Sequence, residues 1–248
     1  MIKYSEGSSD PGELQNKYAS GSIEPGILKK LMNSDAVYTY SGQDELVFEL
    51  ALRRHIIDAS LALYRGRLAF RVFYDSFCNE EYWRRNPDGG FTIKEDVKPS
   101  AAVDDIFQNA RKYGVECATA IVIVYYKAVL DAYRGDLFDR AFSDITLMNW
   151  QQLSGLLGVA TYRGLEDYLP GDCRYFKNPE VNPLTPEWQG ENAIDLGDGR
   201  YYGHGMGIAG GDRIISALNA NRVADATVSA YLMDTATRPD FKGLYRYA

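Results

Sequence analysis

Glu116 and Cys117 stand directly before the apolar run from Ile121 to Tyr126. If that run is helical, Cys117 falls in its first turn. Unpaired backbone N–H groups and the helix dipole favour a thiolate there. The thiolate is the nucleophilic form of cysteine, so this placement points to covalent thiol catalysis. The competing reading is a cysteine buried as a small hydrophobe. A catalytic thiol needs a base, and the chain has only two histidines, His55 and His204. His55 lies beside Arg53 and Arg54 in a regular helical pattern and reads as a partly exposed helical residue. His204 lies between Gly203 and Gly205, and both a base and a hydrogen-bonded strand histidine remain open for it. Glu191 is the acidic alternative. Glu116 either takes part in the chemistry or only complements the helix N-terminus.

These side chains need a scaffold. Residues 41–66 read as a helix, with Ser41 and Asp44 forming a capping-box pattern and Gly66 ending it. Leu46, Leu50, Ile57, Leu61 and Tyr64 form its apolar stripe. Residues 68–74 continue helically in this reading, 86–90 turn, and 91–93 form a short strand. Ser100 caps a helix over 100–113. The segment from Cys117 to Gly135 is long enough for a helix buried on nearly all sides, despite its β-branched content. Further on, 173–176 reads as a strand. Residues 191–196 and 200–204 flank Gly197-Asp198-Gly199 as a hairpin. A short helix starts at Asp212, and 228–233 is the last strand. Helices first and antiparallel strands after give an α+β class, with residues 24–248 as one domain behind a loose tail of residues 1–23.

Size and composition bound the function. The 248 residues, 46% hydrophobic and 25% charged, describe an ordinary globular chain. A formal net charge of −7 argues against broad nucleic-acid binding. No apolar stretch approaches the ~20 residues that span a bilayer. Residues 1–7 lack the apolar core of a signal peptide, so synthesis in a cytosol is expected. Cys78, Cys117 and Cys173 are widely spaced, which fits neither a zinc ribbon nor a disulfide framework. Cys78 and Cys173 read as structural.

The segments Glu116-Cys117-Ala118-Thr119-Ala120-Ile121-Val122-Ile123, Gly171-Asp172-Cys173, Tyr175 to Glu180, Trp188 with Gly190-Glu191-Asn192, His204-Gly205 and Ala236-Thr237-Arg238 carry a resemblance. Together they resemble the small transglutaminases of spore-forming bacilli, the Tgl-type protein-glutamine gamma-glutamyltransferases. The resemblance implies a core related to NlpC/P60 (papain-like) cysteine hydrolases, with the nucleophile at a helix N-terminus packed on an antiparallel sheet. It implies Cys117 as nucleophile, Glu191 as partner acid and Glu116 as a further required acid. His204 and Asn192 are secondary. It also implies calcium-independent joining of glutamine and lysine side chains in spore-coat proteins, first in the sporulating mother cell and then in the coat. No cofactor and no metal are expected. The chain departs from the family pattern at its N-terminus and over residues 150–170.

The implied reaction is two-step acyl transfer. A free lysine, with pKa about 10.4, is nearly all ammonium, so a base must take its proton. A carboxylate serves if burial or a second acid raises its pKa, which Glu191 and Glu116 near one sulfur would satisfy. Water competes for the thioester, so the site should be narrow and apolar. Trp188 is the first wall candidate, followed by Trp150, Phe70 and Tyr113. The alternative enzyme class is an NlpC/P60-type thiol peptidase or amidase using Cys117 with His204. A non-enzymatic coat protein, with 19 tyrosines as packing or oxidative cross-linking groups, is the remaining reading.

Overall fold

In the computed structural model, which describes residues 1–7 and 10–248, the segment after Cys117 is a helix. The helices run as α1 (Glu24–Asn33), α2 (Gln43–Gly66), α3 (Pro99–Gln108), α4 (Cys117–Ala132), α5 (Leu137–Ala141), α6 (Gly211–Asn219) and α7 (Phe241–Tyr247). Eleven residues of α4, between Ala118 and Val129, are buried. Its β-branched residues each cost at most about 0.7 kcal/mol in helix propensity. Burying a valine or isoleucine returns roughly 1.5–3 kcal/mol, so packing decides the conformation. α4 lies between α2 and the main sheet, sharing one core with Leu52, Ile56 and Leu63 on one side and Cys173, Ile194 and Tyr202 on the other.

That sheet is antiparallel. Its strands are β8 (Ala160–Arg163), β9 (Cys173–Lys177), β10 (Gly190–Asp195), β11 (Arg200–Gly203), β12 (Gly207–Gly210), β13 (Tyr231–Leu232) and β14 (Thr235–Arg238). The spatial order is β12-β11-β10-β9-β14-β8, with β13 also pairing β9. β10 and β11 form the expected hairpin, with Ile194 opposite Tyr202, and β9 sets Glu191 opposite Phe176. Smaller sheets join β1 (Ile2–Tyr4) to β2 (Tyr38–Tyr40), β3 (Ala69–Phe70) to β6 (Gly114–Val115), and β4 (Trp83–Arg85) to β5 (Phe91–Ile93) and β7 (Thr146–Leu147). The α+β class and the cysteine-bearing helix against an antiparallel sheet are therefore as expected. No helix among the described residues is long and apolar enough to cross a membrane.

Several local expectations are corrected. Gly42, not Ser41, is the N-cap of α2, and Glu45 rather than Asp44 reaches back to accept from the Ser41 N–H at 2.6 Å. Residues 68–74 do not extend the helix. Arg67, at φ 59°, ends α2 in the left-handed region, and Ala69–Phe70 then pairs in parallel with Gly114–Val115. The α3 cap is Lys98, while Ser100 donates from its backbone and hydroxyl to Asp139 at 2.7 and 2.9 Å. The last expected strand is only Tyr231–Leu232, and β14 and α7 follow it. Nor is the described part of residues 1–23 a loose tail. Ile2–Tyr4 pairs with Tyr38–Tyr40, and Leu14 is buried with Ile27, Leu28 and Leu31. Residues 8 and 9 of that expected tail lie outside the described residues.

One buried cation ties α2 to the sheet. Arg53 donates to Glu49 at 2.8 Å, to Asp172 at 2.9 Å and to the Pro170 carbonyl at 3.1 Å. Tyr40 donates to the other Glu49 oxygen at 3.0 Å. Gly171, at φ +87°, presses on the Arg53 backbone, where an added Cβ would sit 3.2 Å from it. These contacts fix the entry into β9, and β9 sets the register of β10. Truncating one partner of a buried ion pair strands the remaining charge. Arg53→Ala is therefore expected to lower unfolding free energy by about 3–5 kcal/mol, measured by denaturant titration.

Candidate active site

The site starts at the N-terminus of α4. Glu116 is its N-cap, and its carboxylate accepts from the backbone N–H groups of Ala118 at 2.7 Å and Thr119 at 2.5 Å. The Thr119 hydroxyl donates to the same carboxylate at 2.6 Å. Two of the helix's unpaired N–H groups are thus satisfied by a charge of the sign the dipole favours. The Thr119 hydroxyl oxygen in turn accepts from the Asn149 N–H at 2.8 Å. That bond holds a turn with Asn149 at φ 36°, which places Trp150 beside Cys117.

Cys117 is half-buried on the first residue of α4. The β10 strand brings two side chains to it. Asn192 Nδ2 donates to the sulfur at 3.6 Å, and Asn192 Oδ1 accepts from the Cys173 thiol at 4.0 Å. Burial first, then the charges of Glu191 and Glu116, push the Cys117 thiol above its ordinary range, while hydrogen bonds from Asn192 oppose them. The resting group is accordingly a thiol. Burial, with the charges of the two acids adding to it, works against the thiolate that the helix dipole would favour. Glu191 is itself buried, and burial followed by the Glu116 charge raises its pKa well above the carboxylate range. Its Oε1 has no hydrogen-bond partner among the described residues. Gly203 leaves room for this carboxyl, since a Cβ there would lie 2.6 Å from Oε1.

Successive strand residues face opposite ways, and β10 uses this. Gly190 and Asn192 line a cavity of about 540 Å³ that contains Cys117, Glu116, Tyr175 and Trp150. Glu191 lines a second cavity of about 150 Å³ with Trp188, His204 and Met206. Phe70 and Glu187 border both. Among the described residues, neither lining includes a lysine or arginine, and every charged group in it is a glutamate.

His204 is not paired with the sulfur. Its Nε2 lies 3.2 Å from the Ala69 carbonyl and its Nδ1 lies 3.3 Å from the Tyr202 hydroxyl. A carbonyl only accepts, so Nε2 carries the proton and Nδ1 accepts from Tyr202. Burial lowers the His204 pKa to about 4, against the partial opposition of hydrogen bonds to the Ala69 and Val115 backbone. The imidazole therefore braces β11 against β3, with its ring 5.9 Å from that of Phe70. Among the described residues, no group of three or more His, Cys, Asp or Glu side chains is placed to hold a metal ion.

The protein-glutamine gamma-glutamyltransferase family model matches residues 1–248. The chain belongs to this transglutaminase family. A protein-glutamine gamma-glutamyltransferase of Bacillus cereus is 45% identical over 222 residues, covering 90% of this chain and 80% of the relative. One from Bacillus anthracis is 45% identical over 214 residues, covering 86% and 77%. The solved transglutaminase of Geobacillus stearothermophilus, without its C-terminal extension, superposes with a TM-score of 0.80 at 49% identity, covering 84% of this chain and 98% of that one.

Of the residues singled out in the transglutaminase sequence, Cys117, Glu116, Glu191 and Asn192 converge. Phe70, Trp150 and Trp188 line the cavities. Tyr113 does not. It is fully buried in the core, and its hydroxyl donates to Asp105. Its neighbours Gly114 and Val115 pair with β3, which turns Tyr113 inward and brings Phe70 to the site instead. Thr119, Asn149, Tyr175 and Glu187 were not anticipated as site residues. Thr119 was visible within the Glu-Cys-Ala-Thr motif, and Tyr175 follows from its register opposite Asn192.

His204 should titrate near pH 4 in an imidazole NMR series, against 6.5 when unfolded. The unfolded chain then binds more protons between those values, so stability rises with pH there. The contribution is complete above pH 6.5 and is lost as pH falls through about 4. A titration of His204 near neutrality would contradict the buried, neutral assignment.

Proposed function

We propose that this enzyme joins glutamine and lysine side chains of proteins through a Cys117 thioester, with Glu191 moving the protons. One observation carries the reading. A thiol, a buried acid with a raised pKa and an unpartnered oxygen, and a sulfur-directed amide meet on β10 and α4 between two cavities whose charged linings are all acidic.

The donor glutamine reaches Cys117 from the larger cavity. Glu191 in its ionised form takes the thiol proton as the sulfur attacks the carboxamide carbon. The C–N bond breaks, and Glu191 passes the proton to the leaving nitrogen, releasing ammonia. A raised carboxyl pKa suits this work, because it makes the carboxylate a stronger base than an ordinary glutamate. Asn192 stabilises negative charge on the sulfur. The lysine ammonium then approaches through the smaller cavity past Glu191, loses one proton to it, which passes to solvent, and attacks the thioester carbon as the neutral amine. Glu191 takes a second proton from the nitrogen as the isopeptide bond forms, the C–S bond breaks, and that proton passes to the Cys117 sulfur. Glu116 raises the Glu191 pKa and fixes the first turn of α4. Phe70, Trp150 and Trp188 exclude water from the thioester, which favours aminolysis over hydrolysis.

The reaction is proposed to run without calcium, on the resemblance to the small transglutaminases of spore-forming bacilli. The resemblance to the transglutaminases of spore-forming bacilli, and the Bacillus and Geobacillus sources of the relatives, support coat proteins of the forming spore as substrates. They equally support the mother cell and then the spore coat as the place of action.

The test is incorporation of dansylcadaverine into casein in the presence of EDTA. Wild-type protein is expected to label casein. Glu191→Gln should lose at least about 100-fold in rate, while His204→Asn stays well above it. The reverse ranking would favour a Cys–His hydrolase. A pH profile separates the two acids. The acidic limb of kcat/KM should follow the Glu191 pKa, and Glu116→Gln should shift that limb to lower pH, because it removes a charge that holds the Glu191 proton.

A further inference from the structure

We propose that Glu187 is the charge-selecting residue for the amine acceptor, drawing cationic primary amines to the thioester in preference to neutral nucleophiles. This rests on the transferase reading above and names a residue outside its proton-moving pair. Glu187 lies on the short 3-10 turn Pro186–Gln189, immediately before β10. Among the described residues, it and Phe70 border both cavities. It is exposed, whereas Glu191, in the lining of the smaller cavity, is buried. Among the described residues, no salt bridge or side-chain hydrogen bond engages it. The two carboxyl groups thus share the lining of the smaller cavity, one exposed and one buried. The aromatic rings of Phe70 and Trp188 flank the path.

The chemistry assigns different work to the two acids. A lysine arrives as an ammonium ion, since its free pKa is about 10.4. It must be attracted as a cation and then lose its proton. An exposed carboxylate is suited to the first task and a buried acid of raised pKa to the second. Trp188 and Phe70 accommodate the four-carbon stem, which favours a long unbranched amine. With no basic group among the described lining residues, nothing there offsets the attraction. The same field disfavours donors with an acidic residue close to the glutamine.

The experiment compares two acceptors with a fixed glutamine donor at pH 7. Cadaverine is cationic, and hydroxylamine is essentially neutral and yields a measurable hydroxamate. For Glu187→Gln, the ratio of the cadaverine KM to the hydroxylamine KM should rise about threefold, the size expected of one exposed charge pair. Glu187→Lys should raise it further, and Glu187→Asp should restore most of the wild-type ratio. The difference between wild type and Glu187→Gln should shrink as salt is raised. An unchanged ratio in Glu187→Gln, or a rise in the glutamine-donor KM alone, overturns the proposal. Wild-type protein that forms neither product overturns the transferase reading itself, so the two failures are distinguishable.

Discussion

Glu116 holds a negative charge that the fold cannot easily dispense with. Its carboxylate closes the first turn of α4 by accepting two backbone N–H groups and the Thr119 hydroxyl. Its charge adds to burial at the neighbouring Cys117 and Glu191. Cys117 and Glu191 both keep their protons more tightly because of it and because of burial. A helix N-terminus would by itself lower a thiol pKa. Here its donors are already used by an acid, and the sign of the effect on the sulfur is reversed.

This arrangement changes what the base must be. A histidine beside a cysteine works by forming a thiolate–imidazolium pair at rest. The His204 imidazole is buried, neutral and occupied at both nitrogens. In the proposed reaction a buried carboxyl with a spare oxygen takes the corresponding role from the other charge state, moving between anion and neutral acid rather than between neutral base and cation. For an amine acceptor this has an advantage, since among the described residues the charged groups of both linings are glutamates, which attract ammonium, with no lysine or arginine to repel it.

The scaffold serves that cluster through non-local links. Arg53 joins α2 to Asp172 across 119 positions and sets the entry into β9. Asn192 and Cys117 are 75 positions apart. Thr119 reaches forward to Asn149 and so fixes the turn that carries Trp150. Each bond spans two elements whose own sequences give no hint of the partner. Arg53 itself is completely buried, which nothing in its own helical segment indicates.

The residues alone determined the features that arise from short-range physics. These are the buried helix after Cys117, the hairpin around Gly197-Asp198-Gly199 and the α+β class; the motif resemblance singled out Cys117, Glu116, Glu191 and Asn192 as the expected site residues. Caps, turn glycines and apolar run length act within a few residues, so they leave a local trace. Tertiary structure alone decided that the sulfur rests as a thiol, that His204 is a brace, that Tyr113 belongs to the core while Phe70 borders both cavities, and that the N-terminal residues pack. Proton affinity and burial are sums over everything that surrounds a group, and those surroundings come from distant strands. The alternation of β10 is legible in its sequence. Which cavity each of its faces meets becomes known only once β9, β11 and α4 are packed against it.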